Sequence, residues 1–115
     1  MRLPNSELAI VEKAKIADYL LSETHEDGRG KARFFLSFGF RSEEPEVLDR
    51  ALLTLARTND VDSVEPSPHG TKYVIVGAVQ APNGHKPVER TVWIIDNGQQ
   101  VPRLITAFPG RRSSP

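Results

Sequence analysis

The hydrophobic period of this chain changes once, near Asn59. Before that point apolar residues recur at helical spacing; after it they alternate, and two Asn-Gly pairs, Asn83-Gly84 and Asn97-Gly98, interrupt the alternation. Alternation is the mark of a strand with one buried face. Asn-Gly favours the tight hairpin turn, because that turn needs positive φ at its central residues. Two hairpins in succession make the joined strands antiparallel neighbours. The residues predict a weak strand over Val61–Glu65, then strands over Lys72–Ala81, Val88–Ile95 and Val101–Phe108. Along the third, Val88, Arg90, Val92 and Ile94 fall on one face and Glu89, Thr91, Trp93 and Ile95 on the other. Gly77, inside a strand, predicts a bulge or the close approach of another group.

The first half supplies the cover for that sheet. Ile10, Ala14, Ala17 and Leu21 predict a helix over Val11–Leu21, with Leu8–Val11 as an alternative short edge strand leading into it. Lys31–Phe38 sets Phe34, Phe35 and Phe38 at helical spacing, and Gly39 is its stop. Ser42, Pro45 and Glu46 resemble a helix start, and Val47, Leu48, Ala51, Leu52 and Leu55 form an apolar stripe to about Arg57. The expected fold is therefore α+β: about three N-terminal helices packed on a C-terminal three- to four-stranded antiparallel meander. The expected domain is single, over 1–109, with 110–115 a flexible tail.

With 115 residues, 38% of them hydrophobic, the chain can bury one modest core. It has no cysteine, which excludes disulfides and thiol catalysis and fits a cytoplasmic location. No run of about 18 apolar residues exists to span a membrane, and acidic residues interrupt the apolar start, so neither a membrane partner nor a signal peptide is expected. The net charge is zero, but residues 1–65 hold nine Lys/Arg against thirteen Asp/Glu, and residues 66–115 hold six against two. The cationic back half can approach phosphate. His25, His69 and His85 stand in three separate loops without ligand spacing, so no metal is expected. No phosphate loop or dinucleotide fingerprint is present, and no cofactor is expected. Gly28-Arg29-Gly30 reads more simply as a plain turn than as a phosphate cradle.

One constellation has chemistry to offer. His25, Arg29, Lys31 and Arg33 gather around one loop and one helix start; Arg103 and Thr106 stand on the last strand, with Arg90 and Trp93 on the strand beside it. In a helix-on-sheet domain these side chains can line one cleft. Cations, an imidazole, a hydroxyl and an aromatic ring suit RNA cleavage without metal: a base takes the ribose 2′-OH proton, cations stabilise the pentavalent phosphate, and an acid protonates the leaving 5′-oxygen. Histidine titrates near neutral pH and can serve either role; an aromatic ring can stack on an unpaired base. The plainer alternative makes Trp93 a core residue, Arg103 a solvent-facing cation and Thr106 a strand former.

KIADYLLSETHEDGRGKARFFLSFGF over Lys15–Phe40, followed by GTKYVIVGAV, TVWII and PRLITAFP, resembles a bacterial domain family of uncharacterised function. The helices and a last strand reading Ile-Thr-Ala-Phe-Pro also resemble the barnase–EndoU–colicin–RelE (BECR) group of metal-independent ribonuclease toxins. That second resemblance implies an active site of His25, Lys31, Arg33, Arg103 and Thr106, with Arg29, Arg90 and Trp93 binding substrate. It implies RNA as substrate and a small cognate antitoxin or immunity protein as partner. The competing expectation is a non-catalytic binding module, itself immunity- or antitoxin-like, using the acidic run Glu43, Glu44, Glu46 and Asp49 against a basic partner.

Overall fold

The structure is a computed structural model that describes residues 1–16, 20–21 and 29–110. The elements run from a 3₁₀ turn at Ser6–Leu8 through α1 (Lys13–Lys15), α2 (Arg29–Ser37) and α3 (Pro45–Thr58) to β1 (Val61–Ser67), β2 (Gly70–Ala78), β3 (Val88–Asp96) and β4 (Arg103–Pro109). The strands form one antiparallel sheet in the order β1-β2-β3-β4, the expected meander with all four strands present. Gly84 and Gly98 take positive φ in the turns that flank β3.

The expectation of about three helices needs correction. Two α-helices exceed a single turn among the described residues, α2 and α3, and α1 is one turn. The Leu21 N–H donates to the Ile16 carbonyl, a bond one residue longer than an α-helix makes, so the first segment widens beyond α geometry. The predicted stripe is met only in part: Leu21 is a core residue, but Ile10 and Ala14 are exposed and Ala17 lies outside the described residues, while Val11, Ile16 and Leu20 join the core. The alternative edge-strand reading is met in part, since Ile10 forms a parallel bridge to Arg103 at the outer edge of β4. The expected flexible tail falls mostly on residues 111–115, outside the described residues.

Helix ends follow the sequence signals. Gly39, at φ 94°, ends α2. The Gly39 N–H donates to Leu36 and the Phe40 N–H to Phe35, the paired bonds of a Schellman stop. This brings the rings of Phe35 and Phe40 edge to face, both buried. Pro45 opens α3, which buries Leu48, Leu52, Leu55 and Ala56. Arg57 donates to the Ser6 and Glu7 carbonyls and ties the N-terminal turn to the end of α3. The helices, the N-terminal segment and the residues Ile75, Val79, Trp93, Leu104 and Ala107 of the sheet share one hydrophobic core. The sheet therefore has a helix-covered face and a second face that none of the described helices covers.

Candidate functional site

Alternation assigns each sheet residue to one of these faces. Trp93, Leu104 and Ala107 are core residues, so their neighbours Arg90, Val92 and Ile94 on β3 and Arg103, Thr106 and Phe108 on β4 point the other way. The register sets Arg90 opposite Phe108, Val92 opposite Thr106, and Ile94 opposite Arg103. On the far side of β3, Val76 lies opposite Arg90 and Val74 opposite Val92. The helix-free face thus has an apolar floor, Val74, Val76 and Ile94, with the longer Arg90, Arg103 and Phe108 around it. The floor is buried, at 3%, 1% and 4% exposure, whereas Arg90, Arg103, Thr106 and Phe108 are half-buried.

Both arginines on this face are ion-paired. Arg90 reaches across β2 to Asp62 on β1, at 3.7 Å. The register of β1 is irregular between Val61 and Ser63, which is where Asp62 sits. Arg103 binds Asp96 in bidentate fashion, at 2.8 and 3.1 Å. That hydrogen-bonded pair holds the Asp96 carboxyl below its ordinary range and pushes the Arg103 guanidinium up. The guanidinium groups therefore lie toward two opposite margins of the face; Thr106 falls between the levels of Arg90 and Arg103, and Phe108 is level with Arg90. At the β1 margin the face opens into a cleft of about 400 Å³ lined by Arg2, Thr58, Asn59, Asp60, Asp62 and Val76.

The sequence-expected set divides three ways. Arg90, Arg103 and Thr106 share the helix-free face. Arg33 is exposed on α2, in the helical layer, which packs against β4; of Arg29 and Lys31 the backbone is described, in the first turn of the same helix. His25 lies outside the described residues. Trp93 is a correction: it is 0% exposed, and its indole N–H donates to the Thr91 hydroxyl, which donates in turn to the Ile75 carbonyl. A ring enclosed in the core offers no face to a base, so a stacking role for Trp93 is excluded. Among the described residues no group of three or more His, Cys, Asp or Glu could hold a metal ion. No described helix is long and apolar enough to cross a membrane.

The sequence model of a domain of unknown function, DUF6883, matches residues 2–111. The chain belongs to that family. No curated protein matches it in sequence. In structure, this DUF6883 domain is similar to a chain of a contact-dependent growth inhibition toxin–immunity protein complex from Klebsiella pneumoniae 342. The TM-score is 0.72 at 16% identity, over 92% of this chain and 97% of that one. At that identity the likeness is one of fold.

Two residues of this DUF6883 domain escaped the sequence reasoning. Phe108 shares the face of Thr106, and the Thr-Ala-Phe order could have flagged it once Ala107 was known to point inward. Glu89 is on the helix-covered face with Thr91 and Trp93, 0% exposed, and neither carboxyl oxygen has a hydrogen-bond partner among the described residues. Burial pushes its carboxyl up to about 8. An acid in phase with Trp93 along an alternating strand was the available signal.

Proposed function

We propose that this DUF6883 domain is a metal-independent RNase-like toxin domain that works on the helix-free face of its sheet. The observation that carries the reading is the gathering of Arg90, Arg103, Thr106 and Phe108 on one uncovered face. The similarity in fold to a chain of a toxin–immunity complex supports it. In this reading Arg90 and Arg103 receive phosphate oxygens and stabilise the charge that develops on the pentavalent phosphorus. The Thr106 hydroxyl orients the scissile phosphate. His25 takes or returns the proton: the ribose 2′-oxygen loses its proton, bonds to phosphorus, and the leaving 5′-oxygen gains one. Arg33, exposed on α2, adds a cation near the β4 edge, since α2 packs against that strand, and Arg29 and Lys31 of the same helix are assigned to RNA in this reading. A cognate immunity protein would cover the same face.

The test is incubation of purified domain with total RNA in the presence of a chelator, beside growth of a bacterial host after induction. Wild type is expected to fragment RNA and arrest growth; Arg103→Ala and Thr106→Ala, folded by circular dichroism, are expected to lose at least tenfold of the cleavage. Intact RNA from a folded wild type would sink the reading.

A second reading, a non-catalytic immunity-like module, is favoured by one specific observation. The arginines of the face already have carboxylate partners, Asp62 and Asp96, in a chain of zero net charge. Stable capture of a basic nuclease by a domain that leaves RNA intact is the result that would establish it.

A further inference from the structure

The inference rests on the RNase reading of the helix-free face. We propose that Phe108 is its base-stacking platform and that the arginines at the two margins take the flanking phosphates, so that the domain selects single-stranded over duplex RNA.

Three observations carry this. First, Phe108 is the aromatic side chain of β3 and β4 that points to the helix-free face; Trp93 is enclosed on the other. Phe108 is half-buried, so part of it remains in reach of solvent. Second, Arg90 stands directly opposite Phe108, but its guanidinium turns away across β2 to Asp62. The charge of Arg90 is thus directed toward β1, away from the β4 position of Phe108. The backbone runs close here: the Gly110 N–H donates to the Val88 carbonyl, and a Cβ on Gly110 would collide with the Cβ of Arg90. Third, Arg103 lies opposite Ile94, four residues along β3 from Arg90. That separates the two cation positions by about 13 Å along the strand. This is room for more than one nucleotide.

The chemistry follows from these positions. A base can lie on the Phe108 ring only if its π-face is free, and in a duplex both faces are stacked. Phosphates on either side of that base meet Arg90 and Arg103, and each must displace a carboxylate, Asp62 or Asp96, to do so. A ligand that brings phosphates without a free base gains only half of the site.

The experiment measures binding by fluorescence anisotropy, with a labelled oligoribonucleotide carrying 2′-O-methyl sugars. That probe has no 2′-hydroxyl nucleophile, so binding is read apart from cleavage. The same strand annealed to its complement is the duplex probe. Wild type is expected to bind the single strand at least tenfold tighter than the duplex. Phe108→Leu is expected to weaken single-strand binding by roughly 5- to 100-fold, the range of one lost base–aromatic stack. Phe108→Trp is expected to restore it, which separates stacking from a loss of fold. Equal binding of the two probes, no effect of Phe108→Leu, or no binding by wild type would each overturn the proposal. Cleavage of unmodified RNA is scored in parallel: Phe108-dependent binding without cleavage refutes the nuclease step and leaves the single-strand site standing.

Discussion

Glu89 is the residue whose replacement should change stability most visibly, and the change should depend on pH. Its carboxyl is 0% exposed, without a hydrogen-bond partner among the described residues, and burial pushes it up to about 8 from an ordinary 4.5. The folded chain therefore keeps a proton that the unfolded chain gives up. Stability is at its fullest below about pH 4.5 and falls as pH rises toward 8, by about 1.4 kcal/mol per pH unit. At pH 7 the accumulated loss is about 3 kcal/mol, a large part of the 5–15 kcal/mol typical of a domain. Glu89→Gln has the shape of the protonated acid and cannot ionise. It should be nearly neutral at pH 4.5 and more stable than wild type by about 3 kcal/mol at pH 7, a rise in Tm of roughly 10 °C. Thermal unfolding of both proteins across pH 4.5–8.5, followed by the emission of the single tryptophan, Trp93, measures this. A Tm difference that stays flat across that range would refute the reasoning, because it would mean that the carboxylate is ionised and satisfied in the folded protein.

Two further substitutions test the packing and the site. Gly77→Ala should cost about 1–2 kcal/mol in urea unfolding. Its Cβ would lie 2.6 Å from the Asn59 amide nitrogen, which donates to the Leu55 carbonyl at the end of α3; the cost should shrink in an Asn59→Ala background. Arg103→Ala should let the Asp96 carboxyl return upward toward 3.8, since the guanidinium is the main cause of its depression. A carboxyl titration by NMR reads this directly, and in wild type the pair should dissolve only as the pH falls below that value.

Much of the fold was legible in the sequence because its signals are local. The Gly39 stop and the apolar stripe of α3 each act within a few residues and match the structure; the Asn-Gly pairs mark both turns, but only their glycines take positive φ, so neither is the tight two-residue turn. The expected close approach at Gly77 is met by Asn59. The first helix was over-read for an equally local reason. Its apolar content reports that the segment joins the core, through Val11, Leu20 and Leu21, but the helical phase fails, since Ile10 and Ala14 are exposed. The spacing does not report the backbone hydrogen bonds, and the Leu21-to-Ile16 bond departs from α geometry.

The site was harder to read because it depends on a single irregularity. Simple alternation along β4 would put Leu104, Thr106 and Phe108 on one face and Arg103 on the other. Grouping Arg103 with Thr106 was therefore not derivable from period two. The register shifts opposite Val92 and Trp93: Trp93 faces Leu104, Val92 faces Thr106, and Ile105 is the extra residue between them. Such a bulge reverses the phase of everything beyond it. It turns Thr106 and Phe108 outward to join Arg103, and Ala107 inward to the core. On β3, whose register with β2 is regular, alternation holds throughout. Arg90 and Trp93 differ by three positions, so they cannot share a face, and a cleft holding both was excluded by the sequence itself. The aromatic ring that the chemistry needs was sought on the regular strand, where phase forbids it. Phe108 supplies it on the irregular one, through an extra residue that no periodicity announces.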